Sequence, residues 1–334
     1  MNVSALKEQV KKRGDEILPQ LVGLSDTVWD HPEYNFHEFH ACEAMSGLLR
    51  DFGFQVETGI GGLETSVKGV YDSGKEGPNI GNGAFEGLYI AMILHSANDT
   101  VVNDISYSRT DVIVDFYGKT AHAATWPEEG VSALNPVLDL FHIIDSMRLE
   151  LADRGKILGI ISKGGEDPIY IPDHCQAKFT IRSFSMKYKL ELFNRFIEIC
   201  QHVAAITGTK MEWQYDGLAY EDIRNNEPLE EALRKNFVDL GEDVKPRERA
   251  LGIGCTDMGN VTHEIPGLQS YVLVVPELRG HTPEFQEACK SPAGHRTIAV
   301  GSKAMAMTAV DVLTSESLLA DIRKAFLEMK EKYE

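Results

Sequence analysis

The sequence predicts an α/β chain in which a ferredoxin-like domain is inserted into a second domain built from both chain ends. Three observations carry that prediction. Between about 110 and 216 the apolar pattern runs β-α-β-β-α-β, the split βαβ order. The flanking stretches open as α-α-β-β and close in α/β alternation. A length of 334 residues is enough to bury two cores.

The opening helix is predicted from Val3, Leu6, Val10, Ile17, Leu21 and Val28, which recur at helical spacing among charged residues. It breaks near Asp30-His31-Pro32, because the residue before a proline is driven out of helical conformation. A second helix starts near Glu38 with Phe39, Cys42, Met45, Leu49 and Phe52 on one face, and Gly53 ends it. Phe54–Val56 and Thr65–Tyr71 read as strands.

The middle begins with a strand at Val112–Tyr117 and a long helix at Ser132–Leu151. Strands at Ile157–Ser162 and Ala177–Arg182, a helix at Lys187–Ile206 and a strand at Lys210–Tyr215 complete the set. The final third gives a helix at Pro228–Leu240, a strand at Leu268–Val275 and a helix at Gly294–Leu313. The division expected is 1–108 with 217–334 as one domain, and 109–216 as the other.

Net charge is −18, which argues against nucleic acid, since phosphate neutralisation needs clustered Lys and Arg. An apolar fraction of 43% with 25% charged residues is ordinary for a globular protein. No apolar run reaches the roughly 20 residues that span a bilayer, and the N-terminus does not read as a signal peptide. Cys42, Cys175, Cys200, Cys255 and Cys289 form no CxxC pair, so reduced thiols in a cytoplasm are expected.

Three histidines stand in distinctive frames. Gly118-Lys119-Thr120-Ala121-His122-Ala123-Ala124 follows a strand, and its small residues let backbone approach closely around the imidazole. Met92-Ile93-Leu94-His95 ends an apolar strand, where ligands of α/β sheets usually bind. Gly280-His281-Thr282-Pro283 puts a third in a tight turn. Taken singly, each also fits a solvated turn or a hydrogen-bonded strand end. Gly252–Asn260 is a small-residue loop that brings Cys255, Thr256 and Asp257 together, with no phosphate-loop pattern. His37-Glu38-Phe39-His40 lacks the spacing of a zincin helix and reads as a solvated helix start.

In order along the chain, these motifs resemble the aminoacylase-like metallo-amidohydrolases and carboxypeptidases, in the aminobenzoyl-glutamate hydrolase branch. Further landmarks are His31-Pro32-Glu33, Gly59-Ile60-Gly61-Gly62-Leu63, Gly74-Lys75-Glu76-Gly77-Pro78, Gly83-Ala84-Phe85 and Gly164-Gly165 with Ile171-Pro172-Asp173. The resemblance implies a zinc-exopeptidase-like catalytic domain holding two divalent metal ions, zinc or manganese. It also implies a ferredoxin-like lid through which two copies dimerise, and a ligand of the N-acyl amino acid or aminobenzoyl-glutamate type. His95 and His281 match metal-ligand positions. His122 matches the lid histidine that polarises the scissile carbonyl. Arg182 matches the arginine that grips the substrate carboxylate, a task suited to its planar fork.

The sequence departs from the family between Ile80 and Phe85. A strand-helix-strand unit of about 60 residues is expected there, carrying the bridging aspartate, a Cys-or-His and Gly-His turn, and paired glutamates. Its loss predicts a truncated catalytic sheet. Catalytic zinc takes three protein ligands and a water, and two histidines fall short of that. Cys255, Asp257 and Asp99 are the candidate substitutes. Ile169 stands where the family has a substrate-binding asparagine and offers a ligand no hydrogen bond. The expectation is an amidohydrolase-family chain with little or no hydrolysis. The alternatives are a non-catalytic dimeric homologue that binds a carboxylate ligand, and a deletion product of an active hydrolase.

Overall fold

The computed structural model describes residues 2–75, 80, 81, 88–152, 155–246 and 254–333. The Ile80–Phe85 junction past Gly81, and residues 252 and 253 of the small-residue loop, lie outside these. The chain forms two compact units, one of residues 1–104, 224–248 and 261–334, the other of 105–223 and 249–260.

In the first unit α1 (Val3–Asp30) and α2 (Phe39–Asp51) lead into the antiparallel pair β1 (Gln55–Thr58) and β2 (Val67–Val70). The turn at Asp30-His31-Pro32 ends α1 as the proline requires. Glu33 then organises the start of α2. Its carboxylate accepts from the backbone N–H groups of His40 at 3.0 Å and Ala41 at 3.1 Å, and those bonds pull its pKa down. A parallel sheet follows in the order β3-β4-β9, from β3 (Ile80–Gly81), β4 (Ile90–Ala97) and, near the end of the chain, β9 (Gly267–Leu273). Two residues of β3 lie among the described residues.

The second unit starts with β5 (Ser108–Tyr117), α3 (Leu134–Met147), β6 (Lys156–Lys163) and β7 (His174–Ser183). It continues through α4 (Met186–Thr207) to β8 (Lys210–Tyr215). Its sheet is antiparallel throughout, in the order β6-β7-β5-β8, and β5 and β7 pair from Ser108–Ser183 to Tyr117–His174 without a register break. Strict alternation sorts the two faces. Val112, Val114, Phe116, Ala177, Phe179 and Ile181 point to α3 and α4 and are buried. Arg109, Asp111, Asp115, Gln176, Lys178 and Arg182 fall on the opposite face by that parity.

The later elements of the first unit are α5 (Glu227–Asp239), α6 (Met258–Glu264, which begins in the second unit), α7 (Pro283–Cys289), α8 (Pro292–Thr314) and α9 (Glu316–Tyr333). Leu229, Leu233 and Phe237 of α5 close a core with Leu268, Ala304 and Ile322. The starts of α5, α7 and α8 are capped by side chains. Asn226, Thr282 and Ser291 side chains accept from Leu229 N, Phe285 N and Ala293 N.

The expected helix at Ser132–Leu151 is shorter, because its end tightens into a 3-10 turn over Arg148–Glu150. The strands around it are longer than periodicity indicated, since β5 and β7 carry polar Ser108, Thr110 and Ser183 on the buried face. Helices α6, α7 and α9 and the strand β3 were not expected, and α6 takes up Met258–Asn260 of the small-residue loop. No helix among the described residues is long and apolar enough to cross a membrane.

Candidate active-site residues

His95 and His281 come together in the first unit. Their ring centroids lie 6.4 Å apart with planes inclined by 49°. His95 sits near the carboxyl end of β4, and its Nδ1 lies 2.7 Å from the Ser96 carbonyl oxygen. That carbonyl can only accept, so Nδ1 donates and Nε2 keeps the free lone pair. Tyr271, opposite His95 in the β4–β9 register, lies 5.7 Å away ring to ring. Its hydroxyl donates to Asp104 Oδ2 at 2.6 Å. His281 adopts a left-handed φ of 64°, a conformation that costs a non-glycine residue about 1 kcal/mol or more. Thr282 immediately after it caps α7, which fixes the turn.

These residues do not fit a dinuclear metal centre. Among the described residues no group of three or more His, Cys, Asp or Glu side chains is placed to hold a metal ion. Two imidazoles on one tetrahedral zinc would bring their centroids to about 5 Å, closer than this pair. Asp99, a candidate third ligand, is held by Lys245 Nζ at 2.6 Å. Cys255 and Asp257 belong to the second unit. Asp257 Oδ1 receives the Thr256 hydroxyl at 3.5 Å. Burial pushes the Cys255 thiol up, against the pull of Arg182 and Arg109, which lies in the deprotonating direction.

In the second unit His122 is held by backbone pairing. Gly118 N–H donates to Asp173 O at 2.8 Å, and Lys119 bridges Val131. A Cβ on Gly118 would lie 2.0 Å from the Val131 carbonyl oxygen, so only glycine permits this approach. His122 bridges Tyr170, with Ala123 N–H donating to Ile169 O and Ile171 N–H to Ala121 O. The imidazole Nδ1 faces the Ala124 N–H at 3.3 Å and the Thr125 hydroxyl at 3.1 Å. As acceptor there, it leaves Nε2–H free to donate outward. The Ile169 side chain is exposed, and its N–H is taken by Asp167.

Arg182 stands on the helix-free face of β7, and its Nε is buried without a hydrogen-bond partner among the described residues. Sequence reasoning missed two groupings. His31 and His40 stack at 4.1 Å between centroids, which rigidifies the α1–α2 turn. His174 Nε2 lies 2.7 Å from Asp115, while Lys163 Nζ reaches its Nδ1 at 3.2 Å. Parity on β5 and β7 would have shown the Asp115–His174 side of that second network.

The described geometry has counterparts in known proteins. Residues 108–207 match the M20 peptidase dimerisation domain. An Xaa-Arg dipeptidase of Mus musculus is 31% identical over 73% of this chain and 57% of its own length. A subunit of the p-aminobenzoyl-glutamate hydrolase of Escherichia coli (strain K12) is 21% identical over 65% of this chain and 62% of its own. The chain thus spans less than two thirds of these curated relatives. An aminobenzoyl-glutamate utilization protein from Klebsiella pneumoniae superposes with a TM-score of 0.72 at 15% identity, over 92% of this chain and 99% of that one. A dinuclear metal-binding peptidase of the M20 family from Bacillus subtilis superposes at 0.62 and 14% identity, over 90% and 99%. The run of motifs, the dimerisation-domain match and these relatives together place the chain in the aminoacylase-like metallopeptidase family, the M20 peptidases.

Proposed function

We propose that this chain is a dimeric member of the family that binds N-acyl or aminobenzoyl amino acids by their carboxylate and does not hydrolyse them. The observation that carries the reading is the isolation of His95 and His281, with no third ligand grouped with them among the described residues. A catalytic metal supplies a water of lowered pKa when bound, and that chemistry needs about three protein ligands. The family's glutamate base, worth about 10²–10⁴ in rate, belongs to the strand-helix-strand segment that the sequence lacks between Ile80 and Phe85.

The binding groups are in better order. Arg182 offers a bidentate grip to a carboxylate, and its unpartnered Nε gains a hydrogen bond from any such ligand. His122 presents Nε2–H to an amide carbonyl. Dimerisation belongs to the lid. Of the two sheet edges, β8 carries Lys210 and Glu212, charges that discourage strand pairing. The β6 edge instead exposes Leu158, Ile160 and Ile161, so β6 is the edge proposed to meet its copy.

Elemental analysis of chelator-free protein, sedimentation, and an assay on aminobenzoyl-glutamate test this together. The expected result is a dimer with substoichiometric zinc and manganese and no turnover. Near-stoichiometric metal accompanied by hydrolysis would overturn the reading and restore an active amidohydrolase.

A further inference from the structure

The pairing of β6 with β7 runs in even steps from Lys156–Arg182 to Ile161–Ala177, and then Lys163 stands opposite Gln176. Two residues of β6 thus span one of β7, which is a β-bulge. In unbroken register Lys163 would stand opposite Cys175, a residue of the core. The bulge instead turns it to the helix-free face beside Gln176. The Ser162 hydroxyl fastens this step, 3.2 Å from the Gln176 carbonyl oxygen and 2.9 Å from its Oε1.

Lys163 is thereby delivered to His174, with Nζ 3.2 Å from Nδ1 of the ring. On the ring's other side Nε2 lies 2.7 Å from Asp115 Oδ1. An ammonium only donates and a carboxylate only accepts, so one arrangement satisfies both contacts. Nε2 carries the proton and Nδ1 keeps the lone pair. Tyr117 stacks on the imidazole at 4.8 Å with planes 9° apart, and Gln176 Nε2 donates to the same Asp115 oxygen at 2.9 Å. From β8 the facing charges are Glu212, opposite Asp115, and Lys210, opposite Tyr117, and these pair with each other at 2.5 Å. The remaining charges belong to Glu166, Asp167 and Asp173, which line a cavity of about 170 Å³ together with Lys163 and His174. Glu166 Oε1 already lies 3.9 Å from Lys163 Nζ.

The loop 164–173 leaves the sheet at Lys163 and returns to it at His174, so their contact closes its base. The same loop holds the His122 segment. Tyr170 bridges His122, Ala123 N–H donates to Ile169 O at 2.8 Å, and Ile171 N–H donates to Ala121 O at 2.9 Å. We propose that Lys163 and His174 form a proton-operated clasp that positions this loop and, through it, His122. A proton on Nδ1 turns that nitrogen from acceptor to donor and sets an imidazolium against the ammonium. Lys163 then moves to Glu166 and the other carboxylates of the cavity, while the imidazolium keeps Asp115. An imidazole changes charge between about pH 5 and 8, so the clasp is closed at the upper end of that range and opens as pH falls. The proposal holds whether or not the chain binds an N-acyl amino acid.

The test is hydrogen exchange of the full chain at about pH 8 and about pH 5.5, corrected for intrinsic rates and read by mass spectrometry. The peptides of interest carry the Ala123 and Ile171 amides, and β5 serves as the reference that the fold is intact. Protection of the two amides is expected to fall on the order of tenfold at the lower pH while β5 holds. In His174→Gln the amide still donates to Asp115 and its carbonyl still accepts from Lys163, but nothing titrates, so protection should stay high at both pH values. Lys163→Met should leave the two amides weakly protected at both. An unaltered chain whose loop ignores pH overturns the proposal. So does a loss at low pH that persists in His174→Gln, which would assign it to another group such as His122, and so does full protection in Lys163→Met.

Discussion

The two units of this chain differ in how they are closed. In the second, every strand of a four-stranded sheet finds its partners within the unit, and α3 and α4 cover one face with a continuous core. In the first, the parallel sheet has three strands among the described residues, and β3 contributes two residues to it. Parallel strands need crossover connections and bury both faces, so each depends on elements far away in the chain. The antiparallel strands of the second unit complete their ladders within a single stretch of chain from Ser108 to Tyr215. The comparison teaches that one unit can complete an antiparallel sheet from a single continuous stretch of chain while its neighbour draws the strands of a parallel sheet from both sides of that stretch.

Three substitutions sharpen the contrast. The largest effect is expected from Phe196→Ala, which empties the fully buried centre of the second unit where Phe196 packs 4.8 Å from Phe179 between rings. It should cost about 3–5 kcal/mol. If the units melt independently, differential scanning calorimetry will show only one of two transitions move. A uniform shift of a single transition would show that they unfold together.

The next concerns Glu230 on α5, whose carboxyl burial pushes up to about 7, with Glu227 adding to the rise. A raised carboxyl favours the folded state when protonated. Its contribution is therefore full below about pH 4.5 and is lost as pH climbs through 7. Glu230→Gln should remove that slope and stabilise the first unit by about 1–3 kcal/mol at pH 8. Urea melts at pH 5 and pH 8 provide the check, and an unchanged slope would show that Glu230 is not the group responsible. The smallest effect is expected from Asn226→Ala. It deletes the α5 cap on Leu229 N and the bond from Nδ2 to Ile322 O at 2.9 Å. A loss of about 1–2 kcal/mol in the same melts is expected.

Much of the second unit could be read from the chain alone, because alternation in 112–117 and 177–182 and the helical spacing between them are local signals. Helix α9 escaped that reading since its start is marked only by Ser315, whose hydroxyl accepts from Leu318 N–H at 3.2 Å. Short α7 hid behind the Gly280-His281 turn. The candidates His95, His122, Arg182 and His281 came from family motifs, not from periodicity. The contact of Lys163 with His174 was not legible at all. It forms only because a bulge shifts β6 along β7, and no local pattern records register between distant strands.

The unbroken pairing of β5 with β7, from Ser108–Ser183 to Tyr117–His174, has a consequence for descent. A one-residue slip of β7 along β5 would turn Ala177, Phe179 and Ile181 outward at once. The ladder therefore tolerates change unevenly: a substitution that keeps the alternation alters one side chain, while an insertion or deletion within a strand exchanges the faces of every residue beyond it.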